Sequence, residues 1–203
     1  MTSTTLTRVP AATADLPHSR RLGRFSLLGD RKRSSQVLGA MTPNWYASVM
    51  GTGIVAVAAA TLPIQFPGLR LAATLVWALA AFLLVALTVA TALHWKLHAR
   101  VARGYARDAG MAPFYGAPPM AALTVGAGAL LVGRDWIGLR AAVDVDWVLW
   151  LVGTAGGLVC ALVIPYLLFT VHDVGQDSAF GGWLMPIVPP MVSASTGALL
   201  IPY

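Results

Sequence analysis

The residues best placed to do chemistry in this chain are hydroxyls, glycines and prolines that recur in a fixed pattern. Residues 43–53 read PNWYASVMGTG, residues 118–128 read PPMAALTVGAG and residues 189–199 read PPMVSASTGAL. Each copy opens on Pro and carries Gly eight positions later. At helical spacing the first copy gathers Asn44, Ser48, Gly51, Thr52 and Val55 on one face. The second gathers Met120, Thr124 and Gly128, and the third Pro186, Pro190, Ser193 and Gly197. Small residues of this kind let helices approach closely, as at Ala47 and Gly51 or at the Gly153 and Gly157 pair of the fourth apolar segment. The same face can instead line a pathway in which hydroxyls and helix ends stand in for the water around a small anion.

Other candidate groups point to simpler roles. His94, Trp95, Lys96 and His98 follow an apolar run, where Trp and Lys anchor helix ends at a membrane interface. A metal or haem role for the two histidines would need facing partners inside the bilayer, and none is evident. His172, Asp173 and Asp177 read as a solvated connection without fixed geometry. Cys160 is the single cysteine and sits in an apolar run, which makes it a small packing residue with no disulfide partner. The pattern contains no nucleophile with a base at a shared depth, so neither an enzyme nor a bound cofactor is expected.

The elements that must position the recurring face follow from composition. With 57% hydrophobic and 11% charged residues among 203, the chain lacks the polar surface of a soluble domain. Crossing roughly 30 Å of hydrocarbon takes about 20 helical residues. Five apolar segments are long enough to cross, near residues 43–63, 70–93, 116–133, 146–170 and 183–203. Their continuous apolar character predicts helices and not barrel strands, which would alternate. The expected fold is all-α and integral to the membrane, with a disordered basic tail over residues 1–40 and a transmembrane domain over 41–203. No cleavable signal peptide is expected ahead of the first span.

The net charge of +6 is concentrated, not spread. Arg8, Arg20, Arg21, Arg24, Arg31, Lys32 and Arg33 precede the first span, and Lys96, Arg100, Arg103 and Arg107 lie between the second and third. This asymmetry places the N-terminus and the second connection in the cytoplasm of a multi-pass protein of the cell (plasma) membrane. It also makes the lipid bilayer the expected partner and argues against nucleic acid. The charged outer loop holding Arg134, Asp135, Arg140, Asp144 and Asp146 reads as solvated surface.

Odd-numbered spans carry the Pro/Gly/Ser/Thr stripe, while even-numbered spans are apolar all round, Pro165 bending the fourth near its inner end. The repeating unit is thus a helical hairpin with one inner and one outer helix, present two and a half times as parallel repeats. The inner helices would all start at the cytoplasmic side and aim their positive dipole ends at one mouth, which favours an anion there. With no charge at the centre of any span, a proton relay on intramembrane carboxylates is not expected.

Three stretches, PNWYASVMGTGIVA, FYGAPPMAALTVGAGALL and GGWLMPIVPPMVSASTGALL, resemble the first, third and fifth helices of the tellurite-resistance/dicarboxylate transporter family. That family includes malic acid permeases, sulfite exporters and plant guard-cell slow anion channels. The resemblance covers about residues 41–203 and implies the first half of a ten-helix, five-hairpin fold. It also implies proline-kinked inner helices around an anion pore, usually in a homotrimer with one pore per protomer. The matching pore positions are Met50, Gly51 and Thr52, then Pro119 and Thr124, then Pro189, Pro190, Ser193 and Gly197, with Ser48 joining them on the helical face. Tyr46 stands where the family often has Phe, and the family's pore-occluding Phe belongs to a ninth helix beyond residue 203. The expected function is transport of small anions such as dicarboxylates, sulfite or tellurite-type oxyanions; the alternative is a non-transporting fragment or accessory membrane subunit.

Overall fold

Proline fixes where the inner helices begin. A proline in the first helical turn gives up an N–H that has no intrahelical partner anyway, and its ring already holds a helical φ. Pro43 opens a 3-10 turn, Pro43–Trp45, that leads into α1 (Tyr46–Thr61). A second turn, Ala112–Gly116, leads into α4 (Ala117–Gly128), whose first turn holds Pro118 and Pro119. A third, Gly181–Leu184, precedes α7 (Val188–Gly197), with Pro189 and Pro190 in its first turn. The prolines at the starts of α4 and α7 therefore initiate their helices, where the expectation was kinks within them. The chain before Val188 is wound as turns, so Pro186 interrupts no helix.

The computed structural model describes residues 41–171 and 180–203. The expected tail at 1–40 and the His172, Asp173 and Asp177 connection lie outside the described residues. Every regular element among the described residues is helical. Among the described residues three helical stretches are long and apolar enough to cross a membrane: Leu69–Leu97, Ala112–Ile137 and Leu139–Thr170. The first of these is α2, and the last is α6. The first and fifth expected spans are shorter as helices, 16 residues for α1 and 10 for α7, the latter extended by a 3-10 turn at Ala198–Leu200.

Side-chain pairs fix the directions of these helices. Arg70 on α2 reaches the carbonyl of Leu131 and the carboxylate of Asp135, while Trp77 donates its indole N–H to Val125 O at 3.0 Å. Residue numbers rise on one helix as they fall on the other, so α2 and the stretch beginning with α4 are antiparallel. Pro119 faces Gly153 and Gly156 on α6, whereas Gly126 faces Asp146 and Leu149. Pro189 meets Gly157, and Gly197 meets Trp150. Hence α4 and α7 both run opposite to α6. Tyr46 near the start of α1 bonds Thr91 near the end of α2, which makes those two antiparallel as well. It follows that α1, α4 and α7 share one direction.

The innermost of them is α4. In its spanning window 89% of residues are buried, against 17% in α2 and in α6. Ala117, Ala121 and Val125 pack with Tyr46 and Val49 of α1 and Ala80 of α2. Leu75, Phe82, Val85 and Val89 of α2, and Leu151, Val159, Leu162 and Phe169 of α6, point outward. An apolar outer surface is what a hydrocarbon solvent requires. On α6, Gly153 and Gly157 form the close contacts expected of a small-xxx-small pair: a Cβ there would lie 2.7 Å from Leu123 Cγ and from Pro189 Cβ respectively.

The path of the chain departs from expectation in three places. After α2, a short helix α3 (Ala99–Tyr105) forms within the basic connection. It lays Tyr105 against His94, with ring centroids 6.1 Å apart, and His94 stacks on His98 at 5.7 Å. His94 is thus turned inward, and only Trp95 and Lys96 keep the expected exposed anchoring position. After Gly128 the helix passes through a π-turn, Ala129–Gly133, before α5 (Arg134–Ile137). The wider turn brings Gly128 and Gly133 onto the side facing Trp77, whose ring fills the space a Cβ would need at either. Finally, α6 (Leu139–Thr170) begins seven residues before the expected 146 and continues through Pro165. Gly138, at φ 83°, makes the sharp link that only glycine adopts without strain.

Candidate functional site

Of the three like-directed helices, α1 and α7 leave a gap between them over α4. Between α1 and α7, with α4 as the floor, runs a groove of about 260 Å³. Ile54, Val57 and Thr61 form one wall and Val192, Ser195, Thr196 and Leu199 the other, while Thr124, Ala127 and Leu131 lie beneath. Close packing places the floor: a Cβ at Gly53 would meet Thr124 Oγ1 at 2.8 Å, so glycine there lets α1 settle against α4. Among the described residues no charged side chain lines the groove.

Its polarity comes from four hydroxyls. Thr61 donates to Val57 O at 3.0 Å, Thr124 to Met120 O at 3.0 Å, and Ser195 and Thr196 both to Val192 O at 2.9 Å. Each proton is engaged with the preceding turn of its own helix. Rotation about Cβ–O can exchange such a carbonyl for a stronger charged acceptor.

The expected site residues are distributed over more than one surface. Thr124 lies in the groove floor. Met50 is one turn before Ile54 on the same stripe of α1, with Gly51 beside it; a Cβ on Gly51 would meet nothing within 4 Å. Ser48 is exposed and Thr52 half-exposed on the adjacent open face, where Thr52 donates to Ser48 O at 2.7 Å. Pro119, Pro189, Ser193 and Gly197 are turned to α6. Ser193 shares a hydrogen bond of 2.6 Å with Thr154, and its carbonyl accepts the Trp150 indole N–H at 2.9 Å. Pro190 is half-buried. Thr61, Ser195 and Thr196 were not singled out by sequence. Thr196 is three residues past Ser193 in the repeated motif, so counting hydroxyls on both faces of that helix would have found it.

Asp146 is the residue the sequence most misplaced. Read as part of a solvated loop, it instead sits on α6 with no exposure, packed over Gly126, where a Cβ would come 2.6 Å from Asp146 Oδ1. Neither carboxyl oxygen has a hydrogen-bond partner among the described residues. The early start of α6 is the physical reason: it winds this residue onto the helix face that packs against α4. A carboxylate held away from water and partners is destabilising by several kcal/mol. Asp146→Asn, of the same shape but uncharged, is expected to raise the thermal midpoint of the purified protein, equivalent to about 1 kcal/mol or more. A lowered midpoint would show that the carboxylate is bonded in the folded protein.

Among the described residues no group of three or more His, Cys, Asp or Glu could hold a metal ion. Cys160 donates its thiol to Tyr115 O at 3.2 Å and packs beside Ile164, a filler of the contact between α6 and the turn that precedes α4.

A helical membrane chain with an uncharged, hydroxyl-bearing groove between its inner helices has the build of a transporter or channel. The chain belongs to the SLAC1 family, described as voltage-dependent anion channel, which it matches over residues 40–203. It is 28% identical over 180 residues to the sulfite efflux pump SSU1 of Trichophyton rubrum, covering 84% of this chain and 45% of that protein. To the sulfite efflux pump SSU1 of Arthroderma otae it is 26% identical over 162 residues, covering 78% and 42%. An uncharacterized transporter of Methanocaldococcus jannaschii is 25% identical over 167 residues, covering 82% and 46%. The chain therefore spans less than half the length of these relatives. No solved structure matches it.

Proposed function

We propose that this chain forms half of the conduit of a small-anion transporter or channel, with the groove between α1, α4 and α7 as part of its wall. The observation that carries this reading is the convergence of three like-directed helices on an uncharged surface with hydroxyls, in a chain of the SLAC1 family. The five apolar segments act as spans of a parallel hairpin repeat in the plasma membrane, with the basic tail in the cytoplasm. The repeat is completed by helices beyond residue 203, and the protein assembles as a homotrimer. Sulfite is the substrate favoured by the SSU1 relatives.

Mechanistically, the shared helix direction puts three positive dipole ends at one mouth. Proline pairs at the starts of α4 and α7 remove N–H groups that would otherwise clamp an anion, so attraction there is diffuse and release stays fast. From that mouth the pathway runs past Ser48, Met50, Gly51 and Thr52 into the groove at Thr124, with Pro119, Pro189, Ser193 and Gly197 holding the inner helices against α6 and Pro190 in the first turn of α7. Hydroxyls of Thr124, Ser195 and Thr196 then rotate from their own carbonyls to the passing anion, each exchange of a neutral for a charged acceptor gaining about 1 kcal/mol.

Flux of sulfite and of chloride through liposomes holding the intact protein tests this. Thr124→Val together with Thr196→Val removes two hydroxyls at nearly constant shape. Sulfite flux is expected to fall about tenfold, a barrier change of ~1.4 kcal/mol, with chloride less affected. Unchanged rates and an unchanged sulfite-to-chloride ratio would sink the assignment.

A further inference from the structure

A second concave surface lies on the opposite side of α4. Between α2 and α6 runs a trough of about 540 Å³, floored by Pro119 and Ala122 and flanked by Val152 and Gly156. The volume is that of a site for a small-molecule-sized ligand. Small floor residues set the two outer helices apart here. The trough is apolar except at one end, where the Tyr46 hydroxyl donates to Thr91 at 3.2 Å and lies 3.5 Å from Thr88.

That polar end continues into a narrower cleft, since Tyr46 and Pro118 line both. The cleft leads to Trp95 and Tyr105, beside the turn that joins α2 to α3. Lys96, Arg100, Arg103 and Arg107 are exposed around this turn. The neighbouring acid, Asp108, is engaged by the backbone N–H groups of Gly110 and Met111. An apolar trough and the narrower cleft beside it thus lead toward a cluster of cations and Trp95, where a lipid headgroup would sit.

We propose that this trough holds one acyl chain of an anionic phospholipid whose phosphate lies among Lys96, Arg100 and Arg103. The chain lies over Pro119, Ala122 and Gly156, and the Tyr46 hydroxyl marks the level at which the glycerol backbone meets the protein. Charge complementarity selects this occupant over a zwitterionic lipid, and the apolar length selects it over a free anion.

Native mass spectrometry of the purified protein in detergent, supplied with equal amounts of phosphatidylglycerol and phosphatidylcholine, provides the test. Phosphatidylglycerol is expected to be retained in preference. Val152→Trp, which fills the trough from an exposed position, is expected to weaken retention about tenfold, as displacing two chain methylenes would, with the thermal midpoint unchanged. Leu75→Trp on the outward face of α2 should leave retention as it was. The triple change Lys96→Gln, Arg100→Gln and Arg103→Gln should erase the preference for phosphatidylglycerol while phosphatidylcholine still binds. Equal retention of both lipids by the unaltered protein, full retention by Val152→Trp, or a second copy of the chain bound in place of lipid would each overturn the proposal.

Discussion

Ser195→Trp is expected to cut sulfite flux through the intact protein at least about tenfold, the larger of the two functional changes foreseen here. Ser195 is exposed on the groove wall, so an indole there meets no packed core and projects across a space of about 260 Å³. An anion would have to pass a ring that offers one N–H in place of a hydroxyl beside Thr124. Leu75→Trp is the matched control, since Leu75 is 63% exposed on the outer surface of α2 and touches no part of the groove. Its flux should stay within about twofold of the unaltered protein, as for a surface change away from packed features. Thr52→Trp reads the remainder of the pathway. A loss like that of Ser195→Trp extends the wall along the open face of α1 toward Ser48. If Ser195→Trp itself conducts normally while the protein remains folded, the groove is not the pathway.

Gly116→Val is expected to abolish folded protein, because the atoms it would strike cannot move aside. A Cβ at Gly116 would lie 2.4 Å from the carbonyl oxygen of Met185 and 2.8 Å from its carbon. Both are backbone, in the wound segment that carries the chain into α7. A flexible side chain could swing away, but here either the start of α4 or the entry to α7 must shift. Overpacking of a close-packed site costs about 1–3 kcal/mol even when some relaxation is open. For a residue fixed between two backbones the cost belongs at or above the top of that range. Gly116→Ala should show the milder form as a lowered thermal midpoint, and Gly116→Val as loss of the monodisperse peak in size exclusion. Gly51→Ala is the counterpart: with nothing within 4 Å of its Cβ, it should gain up to about 1 kcal/mol from helix propensity. A Gly116→Val protein as stable as the unaltered one would remove the contact on which the α4–α7 junction depends.

Individual residues show how far the sequence could be read. The apolar length of α2 and α6 was legible because a hydrocarbon solvent leaves an unbroken composition signal. That the prolines of the second and third motif copies start helices instead of kinking them was settled by the fold, whereas Gly153 and Gly157 were recognisable as a close contact from spacing alone. Asp146 was not, because its burial depends on where α6 begins, a boundary set by Gly138 and by packing on α4. His94 was misplaced for a related reason: a helical turn within a basic connection, α3, folds a tyrosine over it.

The candidate site divides along the same line. Composition and apolar segment length determined the membrane class, and the recurrence of Pro, Gly and hydroxyl residues determined the family resemblance and Thr124 as a residue of interest. Which hydroxyls face the groove was decided by the rotation of α7 about its own axis. Trp150 captures the Ser193 carbonyl and Thr154 its hydroxyl, so Ser193 turns to α6 and Ser195 and Thr196 turn to α1. A helical stripe fixes which residues share a face, but a chain rich in small residues presents several acceptable faces. Only the contacts made by a neighbouring helix choose between them, and those contacts come from residues some forty positions away in sequence.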